Sequence, residues 1–193
     1  MNVGANSVSN SVNEFSVIEA NVRSLSLFGT LGAYFQLIKP RIVLLFAITG
    51  LASILVEGSL TSQPLKVFWL FIGMLLTAGS ANALNQYLDR DIDAVMERTR
   101  KKRPLPSGKL RPENALAFAV IIGILATWLL FAFGNGLAAF LGVFTIAFYV
   151  GIYTSWLKRW TPYNIVIGGA AGATAPLIGW AAATGSVSIS AWL

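Results

Sequence analysis

Apolar residues run almost continuously for roughly 20 positions at a time along this chain, and short polar stretches separate the runs. The runs lie near 41–59, 65–84, 114–133, 137–157 and 164–183. Each matches the roughly 20 residues that cross about 30 Å of hydrocarbon. Such runs predict helices, because backbone groups in lipid must be satisfied within the segment. Four runs carry no charge in the apolar core. The first begins at Arg41 and ends near Glu57, where both side chains reach the interface. Residues 27–38 (LFGTLGAYFQLI) read as an apolar lead-in along the membrane surface. Residues 1–26, rich in Ser and Asn, read as a flexible tail. With Glu14 and Glu19 against Arg23, the tail matches a transit peptide poorly, and it lacks the apolar core of a secretory signal. The expected fold class is all-α: a polytopic membrane helix bundle of about five spans, one membrane-embedded domain over 27–193.

Charge then orients the bundle. Lys39 and Arg41 flank the start of the first run. The connection from 90 to 111 carries Arg90, Arg98, Arg100, Lys101, Lys102, Arg103, Lys109 and Arg111, and Lys158 and Arg159 close the fourth run. The stretches 58–64, 134–136 and 184–190 carry no basic residue. The positive-inside rule places the N-terminus and the 90–111 and 158–163 loops on the cytoplasmic face. Composition agrees: 55% of residues are hydrophobic, 11% are charged, the net charge is +6 and the mean hydropathy is +0.68. These values exclude an ordinary soluble enzyme, a disordered chain and a nucleic-acid-binding domain. Small residues fill 168–185, which predicts close helix packing. Pro176 is expected to kink that last run.

The chain has no Cys, and no His either. Thiolate and imidazole chemistry are therefore excluded, and a bound metal would need oxygen ligands, as magnesium or calcium does. The informative stretch is Asn82 to Asp93, at the cytoplasmic end of the second run. Asn85, Asp89 and Asp93 stand at i, i+4 and i+8, so a continuous helix would place them on one face. Asn82 joins that stripe and Asp91 points away. Like charges one turn apart destabilise a helix, and acids near lipid are functional by default. The spacing suits a magnesium ion held between carboxylates, with phosphate oxygens completing its shell. The basic run 98–103 (RTRKKR) follows directly and would neutralise a diphosphate, although much of that charge serves topology. Pro104 to Gly108 forms a stiff turn that folds the loop back. Tyr153 is either an interfacial anchor or a phenol aimed at a cavity, where its ring face would stabilise a cation. Thr161 and Asn164 lie just beyond it.

At these residues the chain resembles the UbiA-type membrane prenyltransferase superfamily. The motif is N-x-x-x-D-x-x-x-D (Asn85 to Asp93), followed by R-T (Arg98-Thr99) and R-P-L-x-x-G (Arg103 to Gly108). The stretches LIKPRIVLL at 37–45, YTSWLKRWTPYNIVIGGAAGA at 153–173 and PLIGWAAATG at 176–185 are more narrowly similar to the protoheme IX farnesyltransferase (heme O synthase) family. The resemblance runs from about 34 to 185 and corresponds to the N-terminal half to two-thirds of such an enzyme, so a second acidic motif is expected beyond Leu193. It implies nine transmembrane helices around a cavity, in a bacterial inner membrane. It implies Mg2+, with farnesyl diphosphate as donor, heme B as acceptor and heme O as product, and association with heme A synthase or oxidase assembly proteins. Carried onto this chain, Asn85, Asp89 and Asp93 would hold metal. Asn85, Arg98, Lys102, Arg103, Lys109 and Lys158 would hold diphosphate, and Asp89, Asp93 and Tyr153 would be catalytic. R-T and R-P-L are separated here by Arg100, Lys101 and Lys102, so either Lys102 or Arg103 takes the usual arginine's place.

Two other readings compete. One is a quinone-pathway prenyltransferase or a phosphatidyl-alcohol transferase; the longer signature of the latter is missing upstream of Asp89. The other is a transporter or scaffold, whose acids should lie near mid-bilayer rather than at a span's end.

Overall fold

The computed structural model describes residues 26–157 and 164–192. Most of the tail, together with Lys158, Arg159 and Thr161, lies outside the described residues. All the regular structure among the described residues is helical. Helices α1 (Leu27–Ile38), α2 (Pro40–Glu57) and α3 (Pro64–Leu88) are followed by two short ones, α4 (Arg90–Val95) and α5 (Glu97–Arg100). Then come α6 (Pro112–Phe133), α7 (Gly136–Ala147) with a π-helical continuation over Phe148–Leu157, α8 (Asn164–Gly172) and α9 (Thr174–Thr184).

Local chemistry sets the boundaries. Proline occupies the first position of α2, α3 and α6, where a missing N–H costs nothing. Ser26 caps α1 by accepting from the Gly29 N–H at 3.2 Å. Asn135 caps α7, accepting from Ala138, and donates to the Ala181 carbonyl of α9. Gly58 and Gly185 close α2 and α9 in the left-handed conformation.

Among the described residues, four helices are long and apolar enough to cross a membrane: α2, α3, α6 and α7 with its continuation through Trp156. The chain is thus a multi-pass membrane protein. At 12 residues α1 is too short to cross. The fifth apolar run is two helices, α8 and α9, that meet at Ala173. Pro176 is the physical cause, since it cannot donate to the Gly172 carbonyl and its ring crowds that group. Beside the break, the Thr145 hydroxyl donates to Thr174 at 2.7 Å, and Ser53 donates to the Pro176 carbonyl at 2.8 Å.

Helix α3 is the hub, packed against α2, α6 and α7, with α9 closing on α2. Val43, Phe46, Ile54, Met74, Leu130 and Ile178 belong to the main buried cluster. Small residues permit the close crossings: a β-carbon built on Gly179 would collide with the Gly50 carbonyl of α2. A second cluster of Leu37, Ala83, Leu105 and Leu110, among others, pins the loop after α5 beneath α1 and α6. The turn after Pro104 therefore does fold the basic loop back, with Gly108 at φ +72° and Lys109 N–H donating to the Pro104 carbonyl.

Candidate active site

The end of α3 buries a polar array where an apolar helix would be expected to end in solvent. Asn85, Asp89 and Asp93 are only 3%, 1% and 2% exposed, while Asp91 faces solvent. The stripe is not one continuous helix. It breaks at Asp89 (φ −84°, ψ 1°) and resumes in α4, and the Asp93 N–H still donates to the Asp89 carbonyl at 2.8 Å. That bond keeps Asp93 about one turn beyond Asp89, so the expected helical spacing survives a break that the pattern did not reveal.

Side chains from other segments reach into this array. Asn85 Nδ2 donates to Asp89 Oδ2 at 2.9 Å and to Thr154 Oγ1 at 3.1 Å. Lys39 Nζ donates to Asn85 Oδ1 at 3.2 Å. The Arg103 guanidinium pairs directly with the Asp93 carboxylate. Thr99, buried in α5, donates to the Asp93 carbonyl at 2.9 Å and so ties the basic loop to the acidic helix. Gln86, on the neighbouring face, donates to the Gln36 and Leu37 carbonyls and anchors the end of α1.

Backbone irregularities deliver two of these partners. Lys39 sits between α1 and α2 at φ +55°, the one positive-φ residue other than glycine among the described residues. Such a conformation costs about 1–3 kcal/mol and persists where the surroundings impose it. Thr154 lies in the π-helical segment, where its hydroxyl donates to the Tyr149 carbonyl five residues earlier at 2.8 Å. The wide π turn directs a buried hydroxyl at Asn85 and lets Tyr149 and Tyr153 stack at 4.9 Å.

Two cavities adjoin the array. An apolar chamber of about 240 Å³ is lined by Phe46, Ala81, Asn82, Tyr149, Tyr153 and Gly168, among others. Tyr153 thus faces a cavity. Gly168 is what allows α8 to approach, because a β-carbon there would strike the Tyr153 ring. The second cavity, about 760 Å³, is cationic: Lys39, Arg41, Lys101, Lys102, Arg103 and Lys109 line it, with Gln36 and Gln86. Ile42 borders both.

Of the residues expected from sequence, the structure gathers Asn85, Asp89, Asp93 and Arg103 into one array and places Lys102 and Lys109 in the adjoining cationic cavity. Arg98 stands apart, exposed on α5. Arg103, not Lys102, carries the ion pair. Lys39, Tyr149 and Thr154 were not anticipated as site residues. Their signals were faint: a Lys-Pro pair opening a span, and a lone Thr in an apolar run.

Among the described residues, no three acidic side chains converge as a ready-made metal cluster. The donor set is two buried carboxylates and an amide oxygen. It suits a hard divalent ion whose remaining ligands come from a phosphate, and two carboxylates buried this deeply are costly without cationic company.

The UbiA prenyltransferase family model matches residues 43–193. Protoheme IX farnesyltransferase 2 of Mesorhizobium japonicum is 47% identical over 178 residues, 92% of this chain and 55% of that protein. Protoheme IX farnesyltransferase of Thermosynechococcus vestitus is 52% identical over 160 residues, 83% of this chain and 50% of its own length. That of Bartonella henselae is 46% identical over 180 residues, covering 93% and 57%. The chain therefore spans about half the length of the curated relatives it matches. A solved structure described as digeranylgeranylglyceryl phosphate synthase in membranes superposes with a TM-score of 0.69 at 27% identity, over 78% of this chain and 52% of the other.

Proposed function

The chain belongs to the UbiA prenyltransferase family, and on that premise we propose that the protein transfers a farnesyl group from farnesyl diphosphate to a vinyl group of heme B, giving heme O. The observation that carries this reading is the buried Asn85–Asp89–Asp93 array, set between a cationic cavity and an apolar chamber. An allylic diphosphate needs the same three things: oxygen ligands for a metal, cations for phosphate, and a dry cavity for the hydrocarbon. Relatives named protoheme IX farnesyltransferase, alike over most of this chain, support the acceptor. They disfavour the quinone-pathway and transporter readings.

Asp89 and Asp93 would hold magnesium, with the Asn85 amide in the same array. Bound magnesium supplies charge stabilisation to the departing diphosphate. The chain's own residues do the rest. Arg103, Lys102 and Lys109 neutralise phosphate oxygens, and Lys39 stands ready beside Asn85. Asn85 is held by Thr154 and in turn orients Asp89. As the allylic carbon–oxygen bond ionises, the stacked Tyr149 and Tyr153 rings present π faces to the developing carbocation. The apolar chamber keeps bulk water from trapping that cation before the electron-rich vinyl group does. Water then adds to the resulting carbocation and a proton is lost, leaving the hydroxyethylfarnesyl side chain. We place the array on the cytoplasmic face of a bacterial inner membrane, an orientation that the basic loops support.

Asp89→Ala in the full-length protein tests this reading. Heme O formation should fall by about 10³-fold or more, while the protein stays in the membrane fraction. Heme O made at the wild-type rate would refute the role given to Asp89.

A further inference from the structure

The cationic cavity holds more positive charge than a metal-bound diphosphate requires. Arg103 is engaged with Asp93 and Lys39 with Asn85, yet Arg41, Lys101, Lys102 and Lys109 line the same space. No carboxylate is among the lining residues, so the cavity offers no charged ligand to a metal. Arg41 and Lys101 are exposed side chains with no ion pair among the described residues. A diphosphate that shares magnesium with Asp89 and Asp93 carries little residual charge and lies at the array. Arg41 and Lys101, lining the cavity without an ion pair, therefore suit a second, metal-free anion.

Resting on the reaction proposed above, we propose that Arg41 and Lys101 bind the two propionate carboxylates of the porphyrin acceptor. Protoheme IX carries both carboxylates on one edge and its vinyl groups on the opposite half of the ring. The two cavities meet at Ile42. A ring held by its carboxylates at Arg41 and Lys101 points its vinyl edge past Ile42, toward the chamber where Tyr149 and Tyr153 stack. Arg and Lys at the mouth supply charge-assisted hydrogen bonds to carboxylates, and the apolar chamber receives the uncharged edge. The arrangement selects for regiochemistry as well as affinity: it brings the vinyl edge, not the propionate edge, to the allylic carbon.

The test uses full-length protein in uncharged detergent, where lipid headgroups do not compete. Wild type and the double variant Arg41→Gln/Lys101→Gln are each titrated with protoheme IX, with its dimethyl ester, and with farnesyl diphosphate plus magnesium. Esterifying the carboxylates should weaken binding to wild type by about tenfold or more. The double variant should weaken protoheme IX to the same level, be indifferent to esterification, and bind farnesyl diphosphate within about twofold of wild type. Equal binding of acid and ester by wild type would overturn the proposal while leaving heme farnesylation standing. Loss of farnesyl diphosphate affinity with heme binding unchanged would assign the cavity to the donor and also overturn it. A wild-type protein that binds protoheme IX in neither form would sink the acceptor assignment itself, and this inference with it.

Discussion

Helix α3 buries two stretches of its length by opposite means. Around Leu70, Met74 and Ala78 it is packed among apolar and small side chains, where α2 and α9 cross at Gly50 and Gly179. Two to three turns later Asn85 and Gln86, with the capping Asp89, are just as buried but are held by polar contacts to Lys39, Thr154 and the carbonyls of α1. The first stretch needs only shape. The second demands partners, because a buried polar group without them costs about 1–3 kcal/mol and a buried charge more. The partners come from α1, the α1–α2 junction and the π-helical segment, so the polar end exists only when the bundle is assembled. Packing makes the scaffold, and the costly polar end is where the proposed chemistry would take place.

That contrast can be broken by substitution. Of three further substitutions, Arg103→Ala should have the largest effect: it leaves Asp93 buried without its guanidinium and would remove the proposed phosphate contact. A loss of about a hundredfold in kcat/KM, about 2.7 kcal/mol, is expected; wild-type kinetics would show that the ion pair is incidental. Gly179→Val should act in the other way. Overpacking against Gly50 should lower stability by about 1–3 kcal/mol, read as a reduced yield of folded protein in a thermal aggregation assay, with the activity of the folded fraction within about twofold of wild type. Damage to turnover without damage to stability would erase the distinction between the two stretches. Thr154→Val should be smallest. It removes one acceptor from Asn85 at nearly constant volume, and a loss of a few-fold in kcat, about 1 kcal/mol, is expected with KM little changed. If Thr154→Val equalled Arg103→Ala, the Asn85 amide would matter as much as the charge pair.

The apolar runs made the spans legible because length and hydropathy decide what crosses a bilayer. The acids were legible because their helical spacing is local. Pro176 foretold the break at Ala173, whereas the break at Asp89 and the π turn at Phe148–Leu157 have no comparable local marker. Lys39 and Thr154 lie 46 and 69 residues from Asn85. Their contribution is a tertiary coincidence of an αL residue and a widened helix turn, and neither follows from residue type. The choice between Lys102 and Arg103 was likewise open from spacing; in the fold, Arg103 is the one that reaches Asp93.

We propose that the buried acids grip a divalent ion for the donor's diphosphate. Equilibrium binding of labelled farnesyl diphosphate to wild type and to Asp89→Asn, with magnesium and after chelation, tests it most directly. Wild type should bind tightly only with magnesium, and Asp89→Asn should bind weakly and equally in both conditions. Wild-type binding that survives chelation, or full magnesium dependence in Asp89→Asn, would contradict the account.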